Sequence, residues 1–226
     1  MKLRSEWPAL LALAVTIAVG VAAWSTLPEV VPTHWGLSGR PDGWGSRTML
    51  VVFPPILAVG IYALLLFLPR LDPLHHGNSQ VVVDSTRTLR IGMMWFFAGM
   101  QILLVFAGLG RVQNVAPAIM AMVGGLFILI GFVLGGIEPN WFIGIRTPWT
   151  LSSRKSWDDT HRVGRWLFIV NGALLVVAGL IGSLVWSVAL ILINVVAALG
   201  LIAYSYYAWA RDPDRQPPRA TPMARG

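Results

Sequence analysis

The 226-residue sequence contains no cysteine. That excludes disulfides, thiolate metal sites and a cysteine nucleophile. Charge is scarce as well. Only 12% of residues are Asp, Glu, Lys or Arg, about half of what a soluble domain carries. An ordinary aqueous globule is excluded by that scarcity, and a hydrophobic share of 56% excludes a disordered chain. Walker, GxGxxG, HExxH and HxxxH patterns are all missing, so no nucleotide, metal or catalytic signature is spelled out, and no cofactor is expected.

What the chain does have is long apolar runs. They cover residues 7–27, 48–69, 91–110, 112–137 and 166–210. The last is 45 residues long, and one membrane crossing needs only about 20. It must therefore turn, and Gly182-Ser183 and Trp186-Ser187 offer places to do so, dividing it into about 166–185 and 188–209. Strands of a membrane barrel would alternate in polarity over about ten residues, and these runs do not. The expected fold is an all-α membrane protein, a bundle of six transmembrane helices in one membrane domain, 1–210. Lys2, Arg4 and the small residues Val21-Ala22-Ala23 also suit a cleaved signal peptide, but the length of the run and the five spans behind it favour a retained helix.

Lys and Arg set the orientation. With the N-terminus in the cytoplasm, 14 of the 17 fall in inner segments, leaving Arg40, Arg47 and Arg111 outside. Both termini are then cytoplasmic, the loop 28–47 is extracytoplasmic and the long loop 138–165 is cytoplasmic. The net charge of +7 thus reads as a membrane-orienting excess and not as direct nucleic-acid binding. The tail 211–226, rich in Pro and Arg, is expected to be a disordered basic segment.

Within the runs, Gly131 and Gly135 form a GxxxG, next to Gly124-Gly125, and Ala178 and Gly182 share that spacing. Small residues let helices approach closely; a contact within one chain is expected, a seam between two copies being the alternative. Pro54-Pro55 should start the regular helix or bend it. Gln101, Asn171 and Asn194 read as interhelical hydrogen bonders, with a polar ligand path as the sharper alternative.

Two loops concentrate chemistry. In 28–47, Pro41-Asp42-Gly43 signals a turn, Trp35 and Trp44 suit the headgroup level, and His34 and Asp42 can pair or, with Glu29, contact a metal. In 138–165, Ser156 and Asp159 resemble a capping box for a helix from about 157. Asp158 and Arg162 form a favourable i,i+4 pair, and Trp157, His161, Gly164 and Phe168 share one helical face. Arg146 and Trp149 arrive from the loop. Acid, base and hydroxyl types are present, without a recognisable arrangement. His75-His76, in a third loop, do not converge as adjacent helical residues would have to, and a metal site there is not expected.

These segments carry a resemblance. Leu27-Pro28, His34-Trp35, Pro41-Asp42 and Trp44 are similar to the outer loop of bacterial membrane proteins of the SdpI family. Pro139-Asn140, the stretch from Gly144 to Leu151 (GIRTPWTL), Ser153, Trp157, Thr160-His161 and Gly164 resemble that family's inner-loop signature. The resemblance implies a multi-pass protein of the bacterial cytoplasmic membrane. Such a protein gives immunity to a secreted toxic peptide and relays its presence to a cytosolic transcriptional repressor. The implied ligand- and partner-binding positions are His34, Trp35, Pro41 and Asp42 outside, and Asn140, Gly144, Arg146, Thr147, Pro148, Trp149, Thr150, Trp157, Thr160 and His161 inside. Membrane lipid, the toxin and the repressor are the implied partners, with a homodimer in reserve. No catalytic residue is implied. The competing readings are a small-molecule or lipid facilitator and a membrane-embedded enzyme working at the cytoplasmic surface, with His161 as base.

Overall fold

The long charge-free stretch breaks at Gly182. In the computed structural model of the chain, which describes residues 5–36, 38–72 and 80–218, Gly182 takes a left-handed conformation with φ of 72°. A side chain disfavours that region and glycine enters it freely. The Gly182 N–H closes the preceding helix onto Ala178 O, and the Ser183 hydroxyl caps the next by accepting from Trp186 N–H. The pair Gly182-Ser183 is therefore the turn.

The elements in order are α1 (Trp7–Ala23), β1 (Val30–Trp35), β2 (Pro41–Ser46), α2 (Arg47–Phe67) with a 3-10 turn Leu68–Leu71, α3 (Gln80–Gly108), α4 (Ala116–Leu134), α5 (Arg154–Ile181) and α6 (Leu184–Ala210). Among the described residues, five helices are long and apolar enough to cross a membrane. The shorter apolar helix α1 has 17 residues, about 25 Å at 1.5 Å per residue. Large apolar side chains such as Ile56, Leu180 and Val196 face outward, as they do where lipid is the solvent. His75 and His76 lie outside the described residues.

α1, α2 and α3 meet through Ala9, Ala12, Ala58 and Ala98, all buried. Where α2 crosses this group, Pro54 and Pro55 stand inside a helix that already began at Arg47, so they neither start it nor end it. Each proline removes one helical N–H. The carbonyl that Pro54 would have served is that of Leu50, and Gln101 Nε2 from α3 donates to it at 3.4 Å. The carbonyl freed by Pro55, that of Val51, faces Gly20 of α1, where a Cβ would come within 3.4 Å of it. Gln101 is thus an interhelical donor, as expected, and its acceptor exists because of a proline. Asn194 instead bonds its own helix, at Leu190 O.

α4 and α5 share the closest seam. A Cβ on Gly124 would lie 2.5 Å from Gly172 O, and one on Gly172 would lie 2.6 Å from Gly124 O. Gly131 faces Arg165 O and Ile169 in the same way, and Gly179 faces Pro117 O. The seam therefore uses Gly124 and Gly131 against Gly172 and Gly179. Ala178 packs with Leu175 and with Leu190 of α6, and Met120, Val123 and Phe127 of α4 close over that group. Ala178 thus lies where α4, α5 and α6 meet, Gly182 serves as the turn, and the GxxxG glycines are filled within one chain. Gly172→Val is expected to lower stability by about 1–3 kcal/mol through overpacking against backbone. A thermal melt in mild detergent checks this; an unchanged midpoint would mean that α4 and α5 do not touch here.

The loop 28–47 is a two-stranded hairpin, the exception to an otherwise helical architecture among the described residues. The register is Val30↔Ser46, Val31↔Gly45, Pro32↔Trp44, His34↔Gly43 and Trp35↔Pro41, with irregularities on either side of His34. Gly36 and residues 38–40 belong to the turn, where Gly39 has φ of 73° and its N–H reaches Gly36 O. Pro41-Asp42-Gly43 belongs to β2, so the turn signal was misplaced by a few residues. Pro32, Gly43 and Gly45 obscured the strands, since both residue types are poor strand formers.

Candidate functional site

The hairpin and the loop 135–153 sit at opposite ends of the bundle. Val31 of the hairpin packs with Val105 of α3, whereas Ile143 and Leu151 of the loop pack near Leu89 of the same helix. Those positions on α3 are about 24 Å apart along the helix. The sequence-derived residues therefore form two groups and not one site.

At the hairpin end, His34 Nδ1 and Asp42 Oδ1 are 2.5 Å apart, both exposed. Trp35 stands opposite Pro41 in the register, and its indole Nε1 is buried without a hydrogen-bond partner. The Val115 N–H donates to Gly39 O, tying the hairpin tip to the start of α4. Among the described residues no three His, Asp or Glu side chains converge as a metal site would need.

The loop at the other end is built from buried polar groups that satisfy one another. Asn140 is fully buried. Its Nδ2 donates to Glu138 O and Ile143 O, both at 2.9 Å, and its Oδ1 accepts from Phe142 and Ile143 N–H at 2.9 and 2.7 Å. One amide thus closes the turn that begins the loop. Thr150 Oγ1 accepts from Thr147 N–H and lies 2.9 Å from Ile145 O, to which it donates. Thr147 Oγ1 reaches Ser205 Oγ on α6 at 2.9 Å. Pro148 is exposed between them, and Trp149 meets Tyr206 edge-on with centroids 5.4 Å apart.

α5 begins one turn earlier than the sequence suggested. Ser153, not Ser156, is the N-cap, accepting from Ser156 N–H at 2.9 Å. Ser153 Oγ also donates to Asp212 at 2.5 Å, and Ser156 Oγ donates to Ser205 O at 2.7 Å. The capping box failed because Ser156 is occupied by α6. On the exposed side, Asp158 pairs with Arg154, and Asp159 with Lys155 and Arg162. Arg162 thus takes the acid three residues before it and not the one four before. The tail, expected to be unstructured from residue 211, is described to residue 218. Its Gln216 N–H donates to Ser152 O at 3.2 Å, and Asp212 is buried.

Trp157 and His161 form the floor. Trp157 has no exposed surface, and its Nε1 donates to Ile137 O at 2.8 Å. The His161 ring stacks on it at 4.1 Å between centroids. His161 Nε2 accepts from Ile145 N–H at 2.9 Å, and Nδ1 lies 2.7 Å from Trp157 O. A backbone N–H only donates and a carbonyl only accepts, so the ring is neutral with its proton on Nδ1. Both nitrogens are taken, which leaves no free lone pair for base chemistry. Gly144, with φ of 119°, lies directly against these rings: a Cβ there would be 2.5 Å from His161 Nε2. Thr160 is buried beside them, its hydroxyl without a partner.

Arg146 is exposed and bonds the carbonyl of Trp141. With Arg154, Lys155 and Arg162 it gives this end a basic surface. The sequence placed Ser153 in the signature without its role as cap, and did not mark Ser205 and Asp212 as parts of the loop's support. Ser205 was the legible clue, a hydroxyl in an otherwise apolar run. Asp72 is another, accepting from Trp141 N–H at 3.3 Å across 69 residues.

An apolar helical bundle of this kind defines a multi-pass membrane protein. Residues 136–206, which contain the whole signature from Gly144 to Gly164, match the SdpI/YfhL protein family. Residues 11–59, spanning most of α1, the hairpin and part of α2, match a domain of unknown function, DUF1648. The chain is similar to the immunity protein SdpI of Bacillus subtilis, with 23% identity over 195 residues, covering 85% of this chain and 91% of that protein. An uncharacterized protein of Archaeoglobus fulgidus is 40% identical over 50 residues, 22% of this chain and 27% of that one. No solved structure matches.

Proposed function

We propose that the chain confers immunity to a secreted, membrane-active peptide and relays its presence to a cytosolic transcriptional repressor. In this reading it crosses the bilayer six times, with the hairpin outside and the signature loop and both termini inside. The observation that carries it is the match to an immunity protein over 91% of that protein's length. The excess of Lys and Arg on one set of segments supports the orientation.

The two groups of residues then have different tasks. His34, Trp35, Pro41 and Asp42 meet the peptide, or lipid disturbed by it, on the outer face. Arg146, Pro148 and Trp149 present a basic and aromatic surface to the repressor. The buried residues Asn140, Thr147, Thr150, Trp157, Thr160 and His161, with the half-buried Gly144, hold that surface in shape and do not contact the partner. Relay requires two arrangements of the loop that the peptide stabilises unequally. The tail contacts from Ser152 and Ser153 to residues 212–216 are the ones that such a change would break and remake.

Expression in a sensitive bacterium, followed by challenge with a panel of secreted membrane-active peptides, tests the immunity. Survival well above an empty-vector control is expected for at least one peptide. Equal killing across the panel, together with a deletion strain as resistant as its parent, would overturn the reading.

A further inference from the structure

Among Gln101, Asn171 and Asn194, the first and last donate through Nε2 and Nδ2, Gln101 Oε1 being left without a partner, whereas the Asn171 side chain makes no hydrogen bond. Asn171 is buried, with only 6% of its surface exposed. It lines a cavity of about 300 Å³ between α4, α5 and α6, whose other walls include Phe127, Phe168, Asn194, Ala198 and Ile145. Its amide group fronts this cavity with no protein partner, and in hydrocarbon no bulk water supplies one. No charged side chain lines this cavity.

We infer that this cavity is a binding site for an uncharged, membrane-soluble molecule with an apolar body and one carboxamide-like group. The chemistry of the lining selects that class. Asn171 offers two donors and a carbonyl acceptor, and Asn194 Oδ1 adds another acceptor. A group carrying both a donor and an acceptor satisfies them together. The remaining wall is apolar and receives the rest of the molecule. A charged ligand is disfavoured, since nothing there compensates its lost hydration.

Occupancy would be read at the loop. Ile145 lines the cavity, and its backbone N–H is the donor to His161 Nε2. Its side chain rests over Gly164, where even a Cβ would come within 2.6 Å of Ile145 Cδ1. A ligand that shifts Ile145 therefore acts on the bond between loop and helix. This deepens the sensing role proposed above. Its test uses purified protein without toxin, so it fails independently of any survival phenotype.

The experiment is photolabelling of the full chain in phospholipid nanodiscs with octanamide carrying a mid-chain diazirine, compared with the same diazirine on octane. The amide probe is expected to label the segments 167–171 and 197–202 about fivefold more than the hydrocarbon, the ratio that one hydrogen bond supports. Unlabelled octanamide should remove the excess and octane should not. Asn171→Leu and Ala198→Phe should each abolish it, and octanamide should alter hydrogen exchange at the Ile145 amide in the wild-type chain. Equal labelling by both probes means filling by apolar lipid or solvent only and overturns the proposal, as does an excess that survives Asn171→Leu. Should both variants fail to fold, competition in the wild-type chain decides alone.

Discussion

Replacing Arg90 by leucine is expected to destabilise the chain by about 3–5 kcal/mol, the loss typical when one partner of a buried ion pair is removed. Arg90 and Glu6 are only 4% and 1% exposed. The pairing is bidentate, with Nε at 2.9 Å and Nη2 at 2.5 Å from the two Glu6 oxygens. Nη1 donates further to Leu65 O at 3.1 Å, so one guanidinium binds α3 to the end of α2 and to the residue capping α1. Lysine cannot reproduce that fork. The loss arises mainly from the Glu6 carboxylate left buried and alone, so the double variant Glu6→Leu/Arg90→Leu should recover most of it. Thermal melts of the three proteins in one detergent decide the matter. A single variant as stable as wild type would mean that the pair carries no weight in holding these three helices.

The second large effect is expected at Trp157. Truncation to alanine should cost about 3–5 kcal/mol, as for other large buried aromatics. It removes the surface on which His161 stacks and the donor to Ile137 O. Without it the loop loses its floor, and hydrogen exchange at the Ile145 amide should accelerate while the hairpin amides stay as they were. Trp157→Phe keeps a ring but leaves Ile137 O without its partner, which should cost about 1–3 kcal/mol. A melt of Trp157→Ala at the wild-type temperature, with unchanged exchange in the loop, would show that the ring does not support the site.

The sequence made some of this legible for a physical reason. Apolar runs long enough to cross hydrocarbon announce themselves without neighbours, and so does a Gly-Ser break in one of them. The Trp157 and His161 stack followed from helical spacing alone. Pairings between distant segments did not. Arg90 was counted as a loop cation because its partner lies 84 residues earlier. Ser153 lost the cap to Ser156 on local pattern, since the competing claim on Ser156 comes from Ser205 in another helix. The α4–α5 seam was half-visible: the glycines of α4 stood out by spacing, whereas Gly172 and Gly179 are seven apart and escaped a search for four. The hairpin was hidden by the residues that make it tight, Gly43 and Gly45, which leave room for His34 and Thr33 across the strand.

The account rests on the hairpin and the signature loop facing opposite sides of the bilayer. The chain has no cysteine of its own, so single substitutions report cleanly. Ser38→Cys tests the hairpin turn and Arg154→Cys the start of α5, both exposed positions. With a membrane-impermeant maleimide, the first is predicted to react in intact cells and the second only after permeabilisation. Reaction of both from outside, or of Arg154→Cys alone, would contradict the account.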